Sequence, residues 1–297
     1  MIQELVDQRL VIVTGKGGVG KTTIATALAL QSARDGKRTL ICEVNTKERV
    51  THLLGKPEVG AELTSLDENL WAVNVRPQEA LREYALMILK FESIYSAVFE
   101  NRLVRYFLRF IPSLQELVML GKILYHLKEK KSDGSWRFDR IVVDAPATGH
   151  AITFLSVPQV LLDTVPPGPL ANEAKWMRDM LTDPKTTGVV LVSLPEELPV
   201  NETIELHEAL TKRVQMTVSV VVINGFITPR FDEPTPGLPP GLATLAHEHT
   251  ARAALSETSR QKLATLGLPV RLVQKLFLPE FGRAAIESIA TSLEGRK

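Results

Sequence analysis

A glycine-rich segment follows the first apolar run of this chain and carries residues suited to phosphate chemistry. Residues 15–22 read GKGGVGKT, which matches the pattern G-x-x-x-x-G-K-[ST]. Glycines let the backbone turn tightly, so that successive N–H groups and the dipole of the following helix point at phosphate oxygens. In this pattern Lys21 contacts the β- and γ-phosphates and the Thr22 hydroxyl binds magnesium, so the segment predicts bound ATP and Mg²⁺. The predicted nucleotide-binding residues here are Gly15, Lys16, Gly17, Gly18, Val19, Gly20, Lys21, Thr22 and Thr23.

Two polar residues stand at the ends of later apolar runs. Asp144 closes the run IVVD, where a carboxylate beside the glycine-rich segment suits an outer-shell contact to magnesium. An aspartate at the end of a strand is also common as a helix or turn cap. Asn224 closes the run VVIN, and its amide can donate and accept hydrogen bonds against an adenine edge, or it is an ordinary turn residue. We predict Asp144 as a catalytic and metal-site residue and Asn224 as a nucleotide contact.

Short apolar runs alternate with helical patterns, which is typical of a parallel sheet covered by helices on both faces. Strands are predicted at residues 10–14, 39–44, 71–75, 140–144, 188–193, 218–224 and 270–273. The fold prediction is therefore one α/β domain over residues 1–297, with a doubly wound, mostly parallel sheet of the P-loop class. Helical periodicity runs through most of residues 76–134, and the proline-rich stretch 157–183 is expected to be irregular to helical. We predict a helical subdomain, about 76–134 plus 158–184, inserted between the strands.

The overall composition excludes several classes of protein. The 35 Lys and Arg residues nearly balance 34 Asp and Glu residues, which leaves a net charge of +1 and no general attraction to nucleic acid or an anionic membrane. Cys42 is the single cysteine, so no intrachain disulfide framework is possible. The first residues lack the features of a signal peptide, and no run approaches the ~20 apolar residues of a membrane span. We expect a cytoplasmic protein with no nucleic-acid partner and no stable membrane insertion.

Two motifs together resemble one family of P-loop proteins. A lysine directly after the first glycine, as Lys16 is here, resembles the deviant Walker A motif. Residues 144–150, DAPATGH, followed by FLSVP, resemble switch II of the ArsA-like ATPases, which drive arsenical pumps or target tail-anchored membrane proteins. The resemblance, to a bacterial branch, implies a Mg²⁺-dependent ATPase whose homodimer opens and closes. It also implies that Lys16 reaches the partner's phosphates and that Gly149 couples the γ-phosphate to the helical subdomain.

The chain departs from this family at two places. Asn45 stands where the family's switch I has the aspartate that orients the attacking water, so efficient hydrolysis is left open. Glu43 is a second candidate for that role after a shift in register. The members that target tail-anchored proteins bind zinc between subunits through a C-x-x-C pair. This chain has no such pair, and no zinc is expected.

The sequence leaves the partner and the cellular role open. Aromatic residues and methionine crowd residues 84–110 and the stretch just after them, which indicates either a helical core or an apolar groove, formed across a dimer, for a hydrophobic protein client. One alternative function is a MinD- or ParA-like positioning ATPase. Another is a weakly hydrolysing or non-hydrolysing scaffold that forms a heterodimer with a paralogue, and Asn45 keeps that alternative open.

Overall fold

In the part of the chain that the structure describes, eight strands form one central sheet. The computed structural model describes residues 2–58, 60–77, 79–81, 113–230 and 239–294. The strands are β1 Leu10–Gly15, β2 Thr39–Val44, β3 Thr64–Asp67, β4 Leu70–Val75, β5 Arg140–Ala147, β6 Thr187–Ser193, β7 Val218–Phe226 and β8 Val270–Gln274. They lie in the order β3-β4-β2-β5-β1-β6-β7-β8. All neighbours are parallel except β3, which is antiparallel to β4.

Helices cover both faces of this sheet. They are α1 Lys21–Arg34, α2 Val50–Leu53, α3 Leu114–Tyr125, α4 Thr148–Thr164, α5 Pro169–Thr182, α6 Glu197–Ala209, α7 Pro240–Ala264 and α8 Arg283–Leu293. A π-helical turn, Leu210–Val214, extends α6. The predicted doubly wound, mostly parallel sheet is confirmed.

Alternation along each central strand divides the apolar side chains between two cores. In β1, Leu10 and Ile12 pack in a core that contains side chains of α3, α4, α5 and α6. Val11 and Val13 face the opposite way, into a core formed with α1 and α8. All six residues of β1 are buried. A strand covered on both faces has no polar side. The central strands could therefore be predicted from continuous apolar runs in the sequence.

The helical region differs from its prediction in regularity. Residues 157–183 were expected to be irregular to helical, but most of this stretch belongs to α4 and α5, and α4 continues through Pro158. Helix α3 packs against α4 and α5, and its buried residues share the core that holds Leu10 and Ile12. Most of residues 76–134, including the aromatic-rich stretch 84–110, lies outside the described residues. The inserted helical subdomain therefore stays a prediction.

Two short elements were missed in the sequence. Strand β3 has four residues, of which Leu66 alone is buried, so it offers no apolar run. Helix α2 also has four residues, and its start depends on a side chain from β2 rather than on local sequence. Within the described residues, no helix combines the length and the apolar character needed to cross a bilayer.

Candidate functional site

The glycine-rich loop connects the end of β1 to the start of α1 and is closed tightly against neighbouring strands. A Cβ atom at Gly15 would lie 2.2 Å from the backbone oxygen of Val192 in β6. Gly20, which precedes α1, has a φ of 91°, and a Cβ there would lie 2.3 Å from Nδ2 of Asn224. The backbone contact excludes a larger residue at Gly15, and the positive φ disfavours any side chain at Gly20.

Lys21, Thr22 and Asp144 meet at the carboxyl ends of β1 and β5. The Thr22 hydroxyl donates a hydrogen bond to Asp144 Oδ2 at 2.6 Å, and Lys21 Nζ donates to the backbone oxygen of Lys16 at 3.0 Å. Asp144 is 5% exposed. Burial raises the pKa of Asp144 to about 6, against the opposing effects of Thr22 and Lys21. Burial also lowers the pKa of Lys21.

The second carboxylate oxygen of Asp144 is the feature that fits a metal. Its Oδ1 atom is buried and has no hydrogen-bond partner among the described residues. A buried acceptor without a partner is unfavourable unless a water or a cation meets it. Hard oxygen donors such as this carboxylate and the Thr22 hydroxyl are the donors that Mg²⁺ prefers, so the residues present fit that ion.

Lys16 is held by a residue far away in sequence. Its Nζ donates to Glu202 Oε1 of α6 at 2.7 Å, with the two side chains 23% and 28% exposed. The hydroxyl of Thr148, the first residue of α4, lies 3.4 Å from Glu202 Oε2. Glu202 therefore joins the glycine-rich loop to the segment that follows β5. From the sequence, no role was predicted for this glutamate.

Asn45 and Glu43 occupy different environments at the end of β2. Asn45 is exposed, has a φ of 47°, and donates its backbone N–H to Val75 at 3.0 Å. Glu43 is 2% exposed, and its Oε1 accepts hydrogen bonds from the backbone N–H groups of Arg49 at 2.8 Å and Val50 at 3.3 Å. The Glu43 carboxylate thus holds the start of α2, beside its register partner Asp144 in β5.

Replacing Glu43 with glutamine is expected to change how stability depends on pH. Burial raises the pKa of Glu43 from its ordinary 4.5 to about 7, although the two N–H groups oppose this. Across that window the folded chain binds the proton more tightly than the unfolded chain, so wild-type stability falls as pH rises. Glutamine keeps an acceptor oxygen but has no proton to lose. The free energy of unfolding of Glu43→Gln should therefore increase relative to that of wild type as the pH rises from about 5 to about 8.

Urea denaturation of the ligand-free protein measures this difference directly. Glu58→Gln, at an exposed glutamate of the same region, controls for the loss of one negative charge. A stability difference between Glu43→Gln and wild type that stays constant across the pH range would contradict the prediction.

Two cavities flank the loop. The first, of about 340 Å³, is lined by Gly18, Gly20, Lys21, Thr22, Thr23, Arg49, His52, Leu53 and Phe281. The second, of about 450 Å³, has Thr23, Leu194, Asn224 and Leu276 among its lining residues, and Phe281 reaches it too. Asn224 donates its Nδ2 proton to the backbone oxygen of Val19 at 2.9 Å, which fixes β7 to the loop. The first cavity suits phosphates and the second a base.

The structure thus brings most of the predicted site residues together. The glycine-rich loop, Asp144 and Asn224 lie at the carboxyl ends of β1, β5 and β7, where ligands bind in open parallel sheets. Gly149 is exposed in the first turn of α4, and a Cβ there would contact nothing within 4 Å. Arg49 and Phe281 were missed, because neither belongs to a recognisable motif. The signal in the sequence that could have pointed to Arg49 is the pair of basic residues, Lys47 and Arg49, shortly after β2.

Comparison with known proteins agrees with this geometry. The profile of the family described as anion-transporting ATPase matches residues 8–166 and 169–236. ATPase BagA of Mycobacterium tuberculosis is 31% identical over 221 residues, which cover 73% of this chain and 64% of BagA. A putative arsenical pump-driving ATPase of Chlorobaculum tepidum is 29% identical over 72% of this chain and 53% of its own length. ATPase GET3 of Kluyveromyces lactis is 24% identical over 76% of this chain and 74% of its own length. The matched part of this chain thus spans less than two thirds of the first two of these relatives.

Proposed function

Since this chain belongs to the family of anion-transporting ATPases, we propose that it binds ATP with Mg²⁺ in the cradle of residues 15–23 and hydrolyses it. The observation that carries this proposal is the contact of 2.6 Å between Thr22 and Asp144 beside Lys21. A hydroxyl, a buried carboxylate and an ammonium group converge there at a helix N-terminus. This combination suits phosphoryl transfer, because Asp144 is buried with one oxygen that meets no partner among the described residues.

Each residue has a defined task in this mechanism. The backbone N–H groups of the loop and the Lys21 ammonium hold the β- and γ-phosphates. The Thr22 hydroxyl would bind the metal directly and Asp144 through water, and the ion supplies charge neutralisation when it is bound. Asn224 would orient the base through its amide, and Gly149 would let the start of α4 respond to the γ-phosphate.

Hydrolysis by this site is proposed to be slow. The Asn45 amide is able to hold a water molecule by hydrogen bonding, but it carries no negative charge to polarise that water. Glu43 does not replace the missing carboxylate, because its Oε1 is occupied by the backbone of α2. This arrangement also favours a second candidate function, a nucleotide-dependent scaffold that hydrolyses weakly and needs a paralogous partner to complete its site.

We further propose that two subunits cycle between an open and a closed dimer around bound ATP. Lys16 would leave Glu202 and reach the phosphates of the partner, where it neutralises charge that develops during transfer. Because Glu202 also lies beside Thr148, this exchange would move the segment after β5 together with the loop. The closed dimer would then hold or release a protein partner or hydrophobic client.

The experiment that tests this function is ATP turnover by the purified protein, with and without Mg²⁺, over a range of protein concentrations. Turnover per subunit that requires Mg²⁺ and rises with concentration is the expected result, because each complete site needs two chains. Tight ATP binding without turnover at any concentration would favour the scaffold. A protein that binds no ATP at all would overturn both functions.

A further inference from the structure

Arg49 lies in the cavity that the phosphate cradle lines. This cavity of about 340 Å³ has Lys21 and Thr22 on one side and Arg49 on the other. The Arg49 residue is exposed, and no ion pair engages its guanidinium among the residues that the structure describes. Lys21, Arg49 and the N-terminus of α1 give this cavity a positive lining, with no carboxylate among its described lining residues. Such a lining suits a polyanion.

The position of Arg49 is built into the fold. Its backbone N–H is held at 2.8 Å by the buried carboxylate of Glu43, and its carbonyl oxygen accepts the first hydrogen bond of α2 from Leu53 at 2.8 Å. Glu43 is fixed in turn by β2, whose register places it beside Asp144 of β5. The backbone from which the guanidinium projects is therefore tied to the strand that carries the metal-site carboxylate.

We propose that the Arg49 guanidinium contacts the γ-phosphate of ATP bound in the same subunit and neutralises the charge that develops there during transfer. The inference rests on the proposed ATP-binding function and adds a catalytic residue to it. In the reaction a water oxygen bonds to the γ-phosphorus while the bond from that phosphorus to the β,γ-bridging oxygen breaks. ADP leaves with the electron pair, and the proton of the water ends on the released phosphate. A planar guanidinium can donate two parallel hydrogen bonds to the transferring group.

The charges around the site agree with this role. Arg49 acts on the groups that surround the γ-phosphate position, because its charge lowers the pKa of Asp144 and of Lys21, in both cases as a smaller effect than burial. Asn45 brings no negative charge to the same loop. Of the carboxylates there, Glu48 pairs with Arg76 and Glu43 is held by the start of α2, so Arg49 is the charged residue of this loop that lines the cavity. ATP, which carries one more phosphate than ADP, gains most from that cation.

The affinities of wild type, Arg49→Ala and Lys47→Ala for Mg·ATP and Mg·ADP test this proposal. Lys47 is an exposed cation two residues away that does not line the cavity, so its variant controls for loss of charge in the same loop. We expect Arg49→Ala to weaken ATP binding by about tenfold or more relative to ADP, as loss of a hydrogen bond to a charged group predicts. Turnover should fall by about 10²-fold. Arg49→Lys keeps the charge but cannot donate two parallel hydrogen bonds, so it should restore ATP affinity better than it restores turnover.

The outcomes separate this inference from the function on which it rests. ADP affinity equal to that of wild type shows that Arg49→Ala is folded, as expected for a side chain that lies on the surface. If wild type binds and hydrolyses ATP while Arg49→Ala has the same ATP-to-ADP affinity ratio as Lys47→Ala, the role of Arg49 is wrong and the ATPase function stands. Wild type that binds neither nucleotide overturns both. The affinity ratio decides the matter even if turnover is too slow to measure.

Discussion

Replacement of Lys21 by alanine is expected to reduce ATP turnover by a factor on the order of 10³ or more and to weaken ATP binding severely. Lys21 is the first residue of α1, and its Nζ donates a hydrogen bond to the backbone oxygen of Lys16 in the loop at 3.0 Å. When ATP binds, that ammonium would exchange the carbonyl for phosphate oxygens. In a half-buried site its charge is weakly screened, so its loss is felt strongly.

Lys37→Ala is the matched control for this variant. Lys37 lies just beyond the other end of α1, and its Nζ also donates to a backbone oxygen, that of Val6, at 2.9 Å. The two variants therefore lose the same kind of contact, but Lys37 lies at the amino end of the sheet, far from the loop. Steady-state phosphate release and ATP-dependent thermal shift should be normal for Lys37→Ala. Normal values for Lys21→Ala as well would rule out the loop as the ATP site.

Replacement of Lys16 by alanine is expected to reduce turnover by a factor on the order of 10³ while changing ATP affinity of the separate subunit by a few-fold at most. The reason is that Lys16 is engaged within its own chain by Glu202 at 2.7 Å and would act on the phosphates of the partner only after dimer closure. Loss of turnover with retained binding is the signature of an interaction made in the transition state.

Mixing the two inactive variants tests whether Lys16 acts across the dimer. In a mixed dimer the Lys16→Ala subunit keeps Lys21 and binds ATP, while the Lys21→Ala subunit supplies an intact Lys16. One complete site then forms, so turnover should return in the mixture although each variant alone is inactive. The control is wild type diluted with Lys21→Ala. A mixture that remains inactive while native mass measurement shows mixed dimers would contradict action across the dimer and would indicate a role of Lys16 within its own chain, through Glu202.

The family resemblance and the sheet were predictable because their signals are local and continuous. The glycine-rich loop is one uninterrupted segment, and a close backbone contact such as that of Gly15 with Val192 requires glycine there. The central strands are buried on both faces, so each was legible as an apolar run without knowledge of its neighbours. The predicted membership of the ArsA-like family is confirmed by the family match.

Other parts of the site depend on pairings that no short pattern encodes. The sequence offered Glu43 as a candidate to orient water. Its hydrogen bond to the start of α2 and its place beside Asp144 in the register of β2 and β5 are visible only in the structure. Strand β3 and helix α2 were missed for a related reason. Each is too short to show periodicity and is stabilised by neighbours rather than by its own sequence.

By itself, the sequence determined the glycine-rich turn, the positions of the buried strands and the family, because backbone turns and continuous burial are visible within a few residues. The tertiary structure alone decided that Glu202 holds Lys16 across 186 positions and that Arg49 lines the cavity beside the glycine-rich loop. It also decided that one oxygen of Asp144 has no partner among the described residues. These are meetings of side chains from separate elements. They depend on the order and register of the strands, which place the carboxyl ends of β1, β2, β5 and β7 at one edge of the sheet.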